Sequence, residues 1–424
     1  MSNCKTGCVL GLVMAATAPA AFAGDADLQL DIYGTLLPFI DHTSISDGSA
    51  GPSSGRPNQV AASAYSATES DGERVTGGTS NLGFKGSYAL GQELKVIFQI
   101  ESQIPIDGTQ GPEGNLASRN SQVGLEGSWG SAFVGQWDTP YKWTTMQLAP
   151  MRGINPFDYD NLLENPGFGV PGTTTQGGRS GGKTDAAFSR RQSNSVQYWS
   201  PSFDGFSLRL GYSFDESRQN LDSNTTTSPT IASLAVQYVV GGLTLRYAFE
   251  QHDDYFGLSQ IGGSAGATAT NPGSQDRGHK LAVFYSFART RIAGAYERLE
   301  YQSDDGVAGA VDEYRRDAWF LTVNQKLTGP HGLWLSYGSA DAGDCELVGG
   351  GACATSGLGA RMYSLGYTYD LNDKAKLYAA YYGVDTDDSS QYGIFPSPTA
   401  VSAGADSKAF GLGFIVSFGG RLIE

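Results

Sequence analysis

The sequence predicts an all-β protein, a transmembrane β-barrel of sixteen antiparallel strands. Apolar residues alternate strictly with polar or small ones over residues 243–250, and the alternation recurs over 206–214, 362–369 and 410–418. Successive side chains of a strand point to opposite faces, so each segment has one apolar face and one polar face. Very short turns alternate with long loops rich in Gly, Asp and Ser. This pattern is typical of a barrel that is apolar outside and wet inside.

The strands follow one another in pairs along the chain. The first begins at Leu28 and leads into a long loop that contains Pro52 and Pro57. Each short turn carries the Gly, Pro, Asn or Asp that tight backbone geometry needs. An even number of strands places both chain ends on the periplasmic side. The pattern is also compatible with roughly fourteen or eighteen strands, because the strand boundaries are uncertain by a few residues. The sixteen segments are 28–40, 79–88, 93–102, 118–127, 131–138, 193–200, 206–214, 231–239, 243–250, 280–287, 291–301, 315–325, 332–339, 362–369, 376–384 and 408–418.

Composition supports the barrel and argues against other classes. Charged residues make up 17% of the 424 residues, as expected if half of every strand faces water. The 58 glycines let strands bend, and the 22 tyrosines suit the aromatic girdles of a membrane barrel. A disordered chain would not place 11% aromatic residues with a period of two. The net charge of −15 argues against nucleic acid as a partner.

The N-terminus predicts export. Lys5 supplies a positive start, residues 8–16 are apolar, and Ala21-Phe22-Ala23 forms a small-x-small cleavage site. We therefore expect residues 1–23 to be a signal peptide and residues 24–424 to form the barrel. An exported barrel of this kind belongs in the outer membrane of a Gram-negative cell.

Cleavage would remove Cys4 and Cys8, which leaves two cysteines in the mature chain. Cys345 and Cys353 flank a glycine-rich stretch in a predicted outer loop. In an oxidising compartment this arrangement favours a disulfide. A metal site is the weaker alternative because no histidine lies near, and we expect no metal and no cofactor.

Several motifs carry a resemblance to a known family. They are Asn-Leu-Gly-Phe-Lys-Gly-Ser-Tyr-Ala-Leu-Gly at 81–91, Ser-Arg-Asn-Ser-Gln-Val-Gly-Leu-Glu-Gly at 118–127, Val-Gly-Gln-Trp-Asp-Thr-Pro at 134–140 and Arg-Gln-Ser-Asn-Ser-Val-Gln-Tyr at 191–198. In order and spacing they resemble the second to sixth strands of Gram-negative general diffusion porins, and the resemblance covers most of the mature chain.

The resemblance implies a homotrimer of sixteen-stranded barrels, each with its third loop folded into the lumen to form a charged constriction. It also implies passive diffusion of small hydrophilic solutes and ions. The expected partners are the lipid bilayer, lipopolysaccharide and the outer-membrane assembly machinery. That machinery reads a terminal phenylalanine in most family members. Phe418 fits this role, although Gly-Gly-Arg-Leu-Ile-Glu follows it at 419–424.

The resemblance also suggests which residues line the constriction. The connection of residues 139–189, the longest in the chain, occupies the position of the third loop, and its acids would face cations on the barrel wall. The loop acids are Asp158, Asp160 and Glu164, and the wall cations are Lys85, Arg119, Arg191, Arg209 and Arg246. Opposed charges create a field across the pore that orients polar solutes.

Two family positions that often hold arginine are occupied by Asn81 and Gln136. The barrel wall therefore carries fewer cations opposite an acidic loop, and the sequence predicts a preference for cations.

Two other functions remain open. A substrate-selective channel would bind a sugar or an aromatic acid, with Trp137, Tyr141, Trp143 and Tyr159 as a stacking track. A surface adhesin or receptor barrel would use the long outer loops instead.

An enzyme is not expected. The chain has four histidines, and no Gly-x-Ser-x-Gly motif accompanies any of them. His252, followed by Asp253 and Asp254, is expected at a solvated loop tip.

Overall fold

The computed structural model describes residues 28–46, 48, 70–108, 116–149, 159–167, 186–214, 219–220, 226–255, 273–302, 308–309, 311–351, 353–390, 392–394 and 403–423. The expected signal peptide of residues 1–23 and the acid Asp158 lie outside these residues. No helix in the described ranges is long and apolar enough to cross a membrane.

The described strands form one closed antiparallel barrel of sixteen, which confirms the predicted fold class. Each strand pairs with its neighbours in sequence, and the last strand pairs with the first, for example Phe418 with Gly34. Strands β1 and β2 are each interrupted once. β1 comprises Leu28–Leu36 and Phe39–Ile45, and β2 comprises Ser70–Thr76 and Asn81–Ala89.

The other fourteen strands are continuous. They are β3 Leu94–Gln103, β4 Ser121–Gly127, β5 Gly130–Asp138, β6 Arg191–Trp199, β7 Phe206–Ser213, β8 Thr230–Val240, β9 Leu243–Asp253, β10 Gln275–Phe287, β11 Thr290–Gln302, β12 Val311–Lys326, β13 His331–Ala340, β14 Ala360–Asn372, β15 Ala375–Thr386 and β16 Ser407–Ile423.

Short elements decorate the connections. A hairpin of Gln219–Asn220 with Thr226–Thr227 lies between β7 and β8, and Asp344–Leu347 pairs with β12 beside β13. The sulfurs of Cys345 and Cys353 form a disulfide there, with 5.5 Å between the Cα atoms. The two-residue turn from β8 to β9 needs glycine because Gly241 has φ of 54°.

Side chains are distributed as a membrane requires. Large apolar residues point outward and are exposed, among them Leu281 at 50% and Leu365 at 55%. Charged residues point inward and are buried, among them Lys280 at 1% and Glu297 at 0%. This reverses the pattern of a soluble protein, so the outer face suits lipid and the inner face suits water or a polar filling.

Two expectations are wrong in detail. The last strand does not end at Phe418: β16 continues to Ile423, with Gly420 opposite Ile32 and the Arg421 guanidinium 2.7 Å from the Asp31 carboxylate. The ladder of β1 reaches that far, so the tail has a partner strand. His252 is not at a solvated tip but is fully buried in β9.

Candidate constriction site

The connection from β5 to β6, residues 139–190 and here called loop 3, begins with a short helix that enters the barrel. Helix α1 spans Pro140–Thr145, and the Thr139 side chain caps it by accepting from the Lys142 backbone N–H at 3.3 Å. The Tyr141 N–H donates to Ser233 Oγ of β8 at 3.0 Å. Because this hydroxyl lies on the inner wall, the chain turns into the lumen directly after β5.

The second described part of loop 3, residues 159–167, is fixed by buried charges. Glu164 is fully buried, forms an ion pair with Lys280 of β10 and accepts from Thr145 Oγ1 at 2.5 Å. The Glu164 N–H donates to Glu297 of β11 at 2.7 Å. Arg316 of β12 donates to the backbone oxygen of Leu162 at 3.2 Å and contacts Glu297 at 3.3 Å. Three adjacent strands therefore hold this segment.

Apolar packing reinforces these contacts. The loop residues Leu148, Tyr159, Leu162 and Leu163 are buried in one cluster with Phe284 and other inward residues of β10 to β15. Glycines on the wall leave the space that the loop fills. A Cβ on Gly338 would lie 2.9 Å from Leu162, and one on Gly278 would lie 2.9 Å from both Phe188 and Tyr141. Loop 3 is thus packed against the β7–β15 side of the barrel.

The two described loop acids occupy different environments. Glu164 does not face channel water, and its burial raises the pKa of its carboxyl from 4.5 to about 7. Asp160 lies in the turn Tyr159–Asn161 and accepts from Ser189 Oγ at 3.4 Å. Burial also raises the pKa of Asp160, and Lys142 opposes that shift. Asp160 is partly exposed, so it is the less buried of the two described loop acids.

The opposite wall, β2 to β6, carries three of the five predicted cations. Lys85 is exposed beside the Tyr33 ring, 5.4 Å from its centroid. Arg119 forms an ion pair with Glu101 at 2.5 Å, and Tyr33 donates to the same carboxylate at 2.9 Å. The predicted lumenal side of Lys85 agrees with this contact to Tyr33 across the β1–β2 pair.

Arg191 lies at the start of β6 and belongs to a second group on this wall. Its guanidinium is 3.4 Å from the Asp138 carboxylate and donates to Asn120 at 2.8 Å. Lys142 of α1 approaches the same carboxylate at 3.5 Å. Two cations thus share the Asp138 carboxylate at the start of loop 3.

Arg209 and Arg246 lie apart from the other predicted cations, three to four residues after the short turns that precede β7 and β9. Both stack on the Trp143 indole, with guanidinium carbons 3.7 and 4.1 Å from the ring centroid. The structure therefore separates the eight predicted residues. Glu164 is buried where loop 3 is attached to the wall, and Asp160 lies elsewhere on the loop. The facing wall carries Lys85, Arg119 and Arg191. Arg209 and Arg246 form the stacked pair, and Asp158 lies outside the described ranges.

Sequence reasoning missed the residues that anchor the loop. Lys280, Glu297 and Arg316 lie on consecutive strands at inward positions. Strand alternation could have found them, because each charge shares a face with small or buried residues of its strand. The acids Glu101 and Asp138 were missed for the same reason.

The architecture and the inward loop now allow a comparison with known proteins. A family model described as Gram-negative porin matches residues 11–389. The chain belongs to the Gram-negative porin family. This confirms the resemblance inferred from the motifs, and the porin is an outer-membrane protein whose barrel forms a channel.

Named relatives agree with this assignment. An outer membrane porin protein of Bordetella pertussis is 25% identical over 361 residues, which are 79% of this porin and 81% of the relative. Outer membrane porin protein 32 of Delftia acidovorans is 25% identical over 324 residues, or 74% of this porin and 77% of that protein.

A solved structure matches the fold over nearly the whole porin. The anion-selective porin from Comamonas acidovorans superposes with a TM-score of 0.66 at 20% identity and covers 92% of this chain and 100% of that one. At this identity the likeness concerns the fold.

The aromatic residues proposed as a stacking track do not form one in this porin. Tyr141 is fully buried and Tyr159 is 3% exposed. Trp137 meets the rings of Phe133 and Trp199 edge to face, at 5.2 and 5.6 Å. Trp143 is covered by guanidinium groups. A ring sliding along these four side chains would find few open faces.

Proposed function

We propose that loop 3 narrows the channel, so that small hydrophilic solutes and ions pass between the loop and the β2–β6 wall. The observation that carries this proposal is the anchoring of Glu164 by Lys280, with Glu297 and Arg316 beside it. A loop held on one side leaves passage along the other, where Lys85 is exposed. Fixed charges there act on ions over a few Å of low-dielectric surroundings.

The charges of the described residues support a proposal of anion preference, whereas the sequence predicts a preference for cations. Glu164 is neutralised by Lys280 and is not exposed to the lumen. On the facing wall Arg191 and Lys142 share Asp138, and within the described chain Lys85 has no carboxylate within ion-pair distance. The anion-selective porin of Comamonas acidovorans has the same fold. We therefore propose a preference for anions, with Asp160 as the opposing loop charge.

The reversal potential in a potassium chloride gradient tests this preference. The reversal potential of the wild-type porin should lie toward the equilibrium potential of chloride. Lys85→Gln should shift it toward that of potassium. Lys408→Gln is the matched control, because Lys408 is also exposed but points outward from β16. A wild-type reversal on the potassium side, or an equal shift in both variants, would refute the assignment.

We also propose that the porin assembles as a homotrimer, after removal of residues 1–23 and with the outer-membrane assembly machinery. Lipopolysaccharide would surround the outer rim. Exposed apolar side chains on the outer face of β2 to β5, including Phe84, Ile100 and Val123, are compatible with lipid or with a second copy. Mass measurement in detergent should give three chains, each beginning at Gly24. A monomer would contradict the proposed trimer, and a chain that still begins at residue 1 would contradict the proposed cleavage.

A further inference from the structure

A row of guanidinium and aromatic groups lies on the short-turn side of loop 3. Arg209 of β7 and Arg246 of β9 both stack on Trp143, and Arg246 and Arg291 of β11 both approach the Phe284 ring, at 5.0 and 5.2 Å. The order is thus arginine, indole, arginine, phenyl, arginine. The inward parity of these strands places all three arginines on the lumenal face.

The positive charge of this row is not neutralised by the described residues. Within the described ranges Arg246 donates only to neutral oxygens, those of Gln237 at 2.8 Å, Thr144 at 3.2 Å and two neighbours. Arg291 donates to the Gln147 backbone oxygen at 2.7 Å. Among the described residues, none of the three has a carboxylate within 4.0 Å. Partly desolvated cations without a counter-charge favour the approach of an anion.

Arg209 is the member whose donors are available. The Arg209 guanidinium stacks on two indoles, with its central carbon 3.7 Å from the Trp143 ring centroid and 3.8 Å from that of Trp199. Stacking fixes the plane of the guanidinium and leaves its N–H edge, which donates to no acceptor in the described part of the chain. A rigid planar fork of N–H donors matches the two oxygens of a carboxylate or phosphate.

A cavity adjoins Arg209. It has a volume of about 320 Å³, and Arg209, Gln237, Ser207 and the two indoles line part of it. Glu126 also lines it, but its carboxylate is 2.6 Å from Lys95 and is thereby compensated. Such a space accepts a small hydrated anion, and its polar lining offers further hydrogen bonds.

We infer that Arg209, supported by Arg246 and Arg291, forms a binding station for small oxyanions that carry a carboxylate or phosphate group, reached from the short-turn end of the channel. This inference rests on the proposed channel function and names a solute class for it. Chloride would pass the same row but cannot use the bidentate geometry, so oxyanions should be held longer.

Chloride current through single channels in a planar bilayer tests the station. Succinate or inorganic phosphate, added from the short-turn side, should reduce the current in a saturable way. Arg209→Gln should raise the half-blocking concentration about tenfold, since it removes a charge-assisted pair. Arg209→Lys keeps the charge but loses the fork, and should fall between. Arg298→Gln, which removes an exposed arginine on the outer face of β11, should match the wild type.

The outcomes separate the two proposals. Absence of chloride current in the wild type would refute the channel itself. Current that neither succinate nor phosphate blocks, or block that Arg209→Gln leaves unchanged, would refute only the station. Stronger block by succinate identifies a carboxylate site and stronger block by phosphate identifies a phosphate site, and either supports it. Heat-modifiable migration on a gel checks that each variant folds as a barrel.

Discussion

Removing the ammonium of Lys280 should release loop 3 from the wall. In Lys280→Met at pH 8 the buried Glu164 carboxyl has lost its counter-charge, so docking of the loop requires either a bare buried carboxylate or the uptake of a proton. Breaking one partner of a buried ion pair costs about 3–5 kcal/mol. The β10 ladder keeps its backbone bonds, so the cost falls on docking of the loop and not on the barrel. At about 1.4 kcal/mol per tenfold, the ratio of undocked to docked loop should rise at least about 100-fold.

Single-channel recording measures this ratio. An undocked loop no longer narrows the lumen, so Lys280→Met should show longer or more frequent states of higher conductance. Protease cleavage within residues 139–190 should accelerate in parallel. The double variant Glu164→Gln with Lys280→Met removes both charges and should recover most of the docking, because no bare charge remains buried.

Lys408→Met serves as the matched control. Lys408 also pairs with a carboxylate, that of Asp385 at 3.8 Å, but both side chains are almost half exposed. Its loss should leave conductance unchanged, since exposed pairs contribute at most about 1 kcal/mol. If Lys280→Met shows wild-type conductance states and cleavage rates, the ion pair does not hold the loop and the reasoning fails.

Three further predictions concern the pH response of loop 3, the disulfide and the C-terminal residues. Burial raises the Glu164 pKa from 4.5 to about 7, so the docked loop binds this proton more tightly than the undocked loop, and docking should weaken by about 3 kcal/mol as pH rises from below 4.5 through 7. High-conductance states should therefore be more frequent at pH 8 than at pH 5 in the wild type, whereas a Glu164→Gln porin with the same pH response would exclude Glu164 as the cause. Cys345 and Cys353 should be disulfide-bonded in protein from the native membrane, and intact-mass measurement that finds two thiols would contradict this; the closed loop is short, so the bond should add at most about 3 kcal/mol. Truncation after Phe418 removes the pairing of residues 419–423 with β1 and the Arg421–Asp31 contact, so the barrel should lose its gel mobility at a lower temperature than the full chain, and equal temperatures would mean that the tail contributes nothing.

The barrel could be predicted because its determinants are local. Alternation within a segment such as 243–250 fixes which side chains face lipid, and glycine turns such as Gly241 fix where strands reverse. The predicted segments therefore match the observed strands to within a few residues for most of the barrel. The end of β16 was missed because Gly419 and Gly420 interrupt the apolar alternation, while the pairing that extends the strand comes from β1.

The constriction was less accessible from sequence because its contacts are between distant segments. Alternation shows that Lys280 and Arg316 face inward, but it does not show that residues 159–167 pack against them. Glu164 was grouped with Asp160 on the basis of proximity in sequence. The two acids are close in sequence but differ in burial: Glu164 is buried against the barrel wall, whereas Asp160 remains partly exposed. The sequence does not distinguish buried acids from accessible ones, whereas an ion in the channel can interact only with acids that are accessible.

The same distinction governs how charge is used throughout the lumen. On the β9–β12 side, acids and bases face each other across the loop contact, so their charges cancel and hold the loop in place. By contrast, Lys85 on the β2–β6 wall and the row of Arg209, Arg246 and Arg291 have no carboxylate of the described residues within ion-pair distance. A net charge of −15 for the whole chain is therefore no guide to the ions that pass. Charges beyond about 10 Å are screened at 0.1 M salt, so selectivity depends on the few side chains that line the narrow passage.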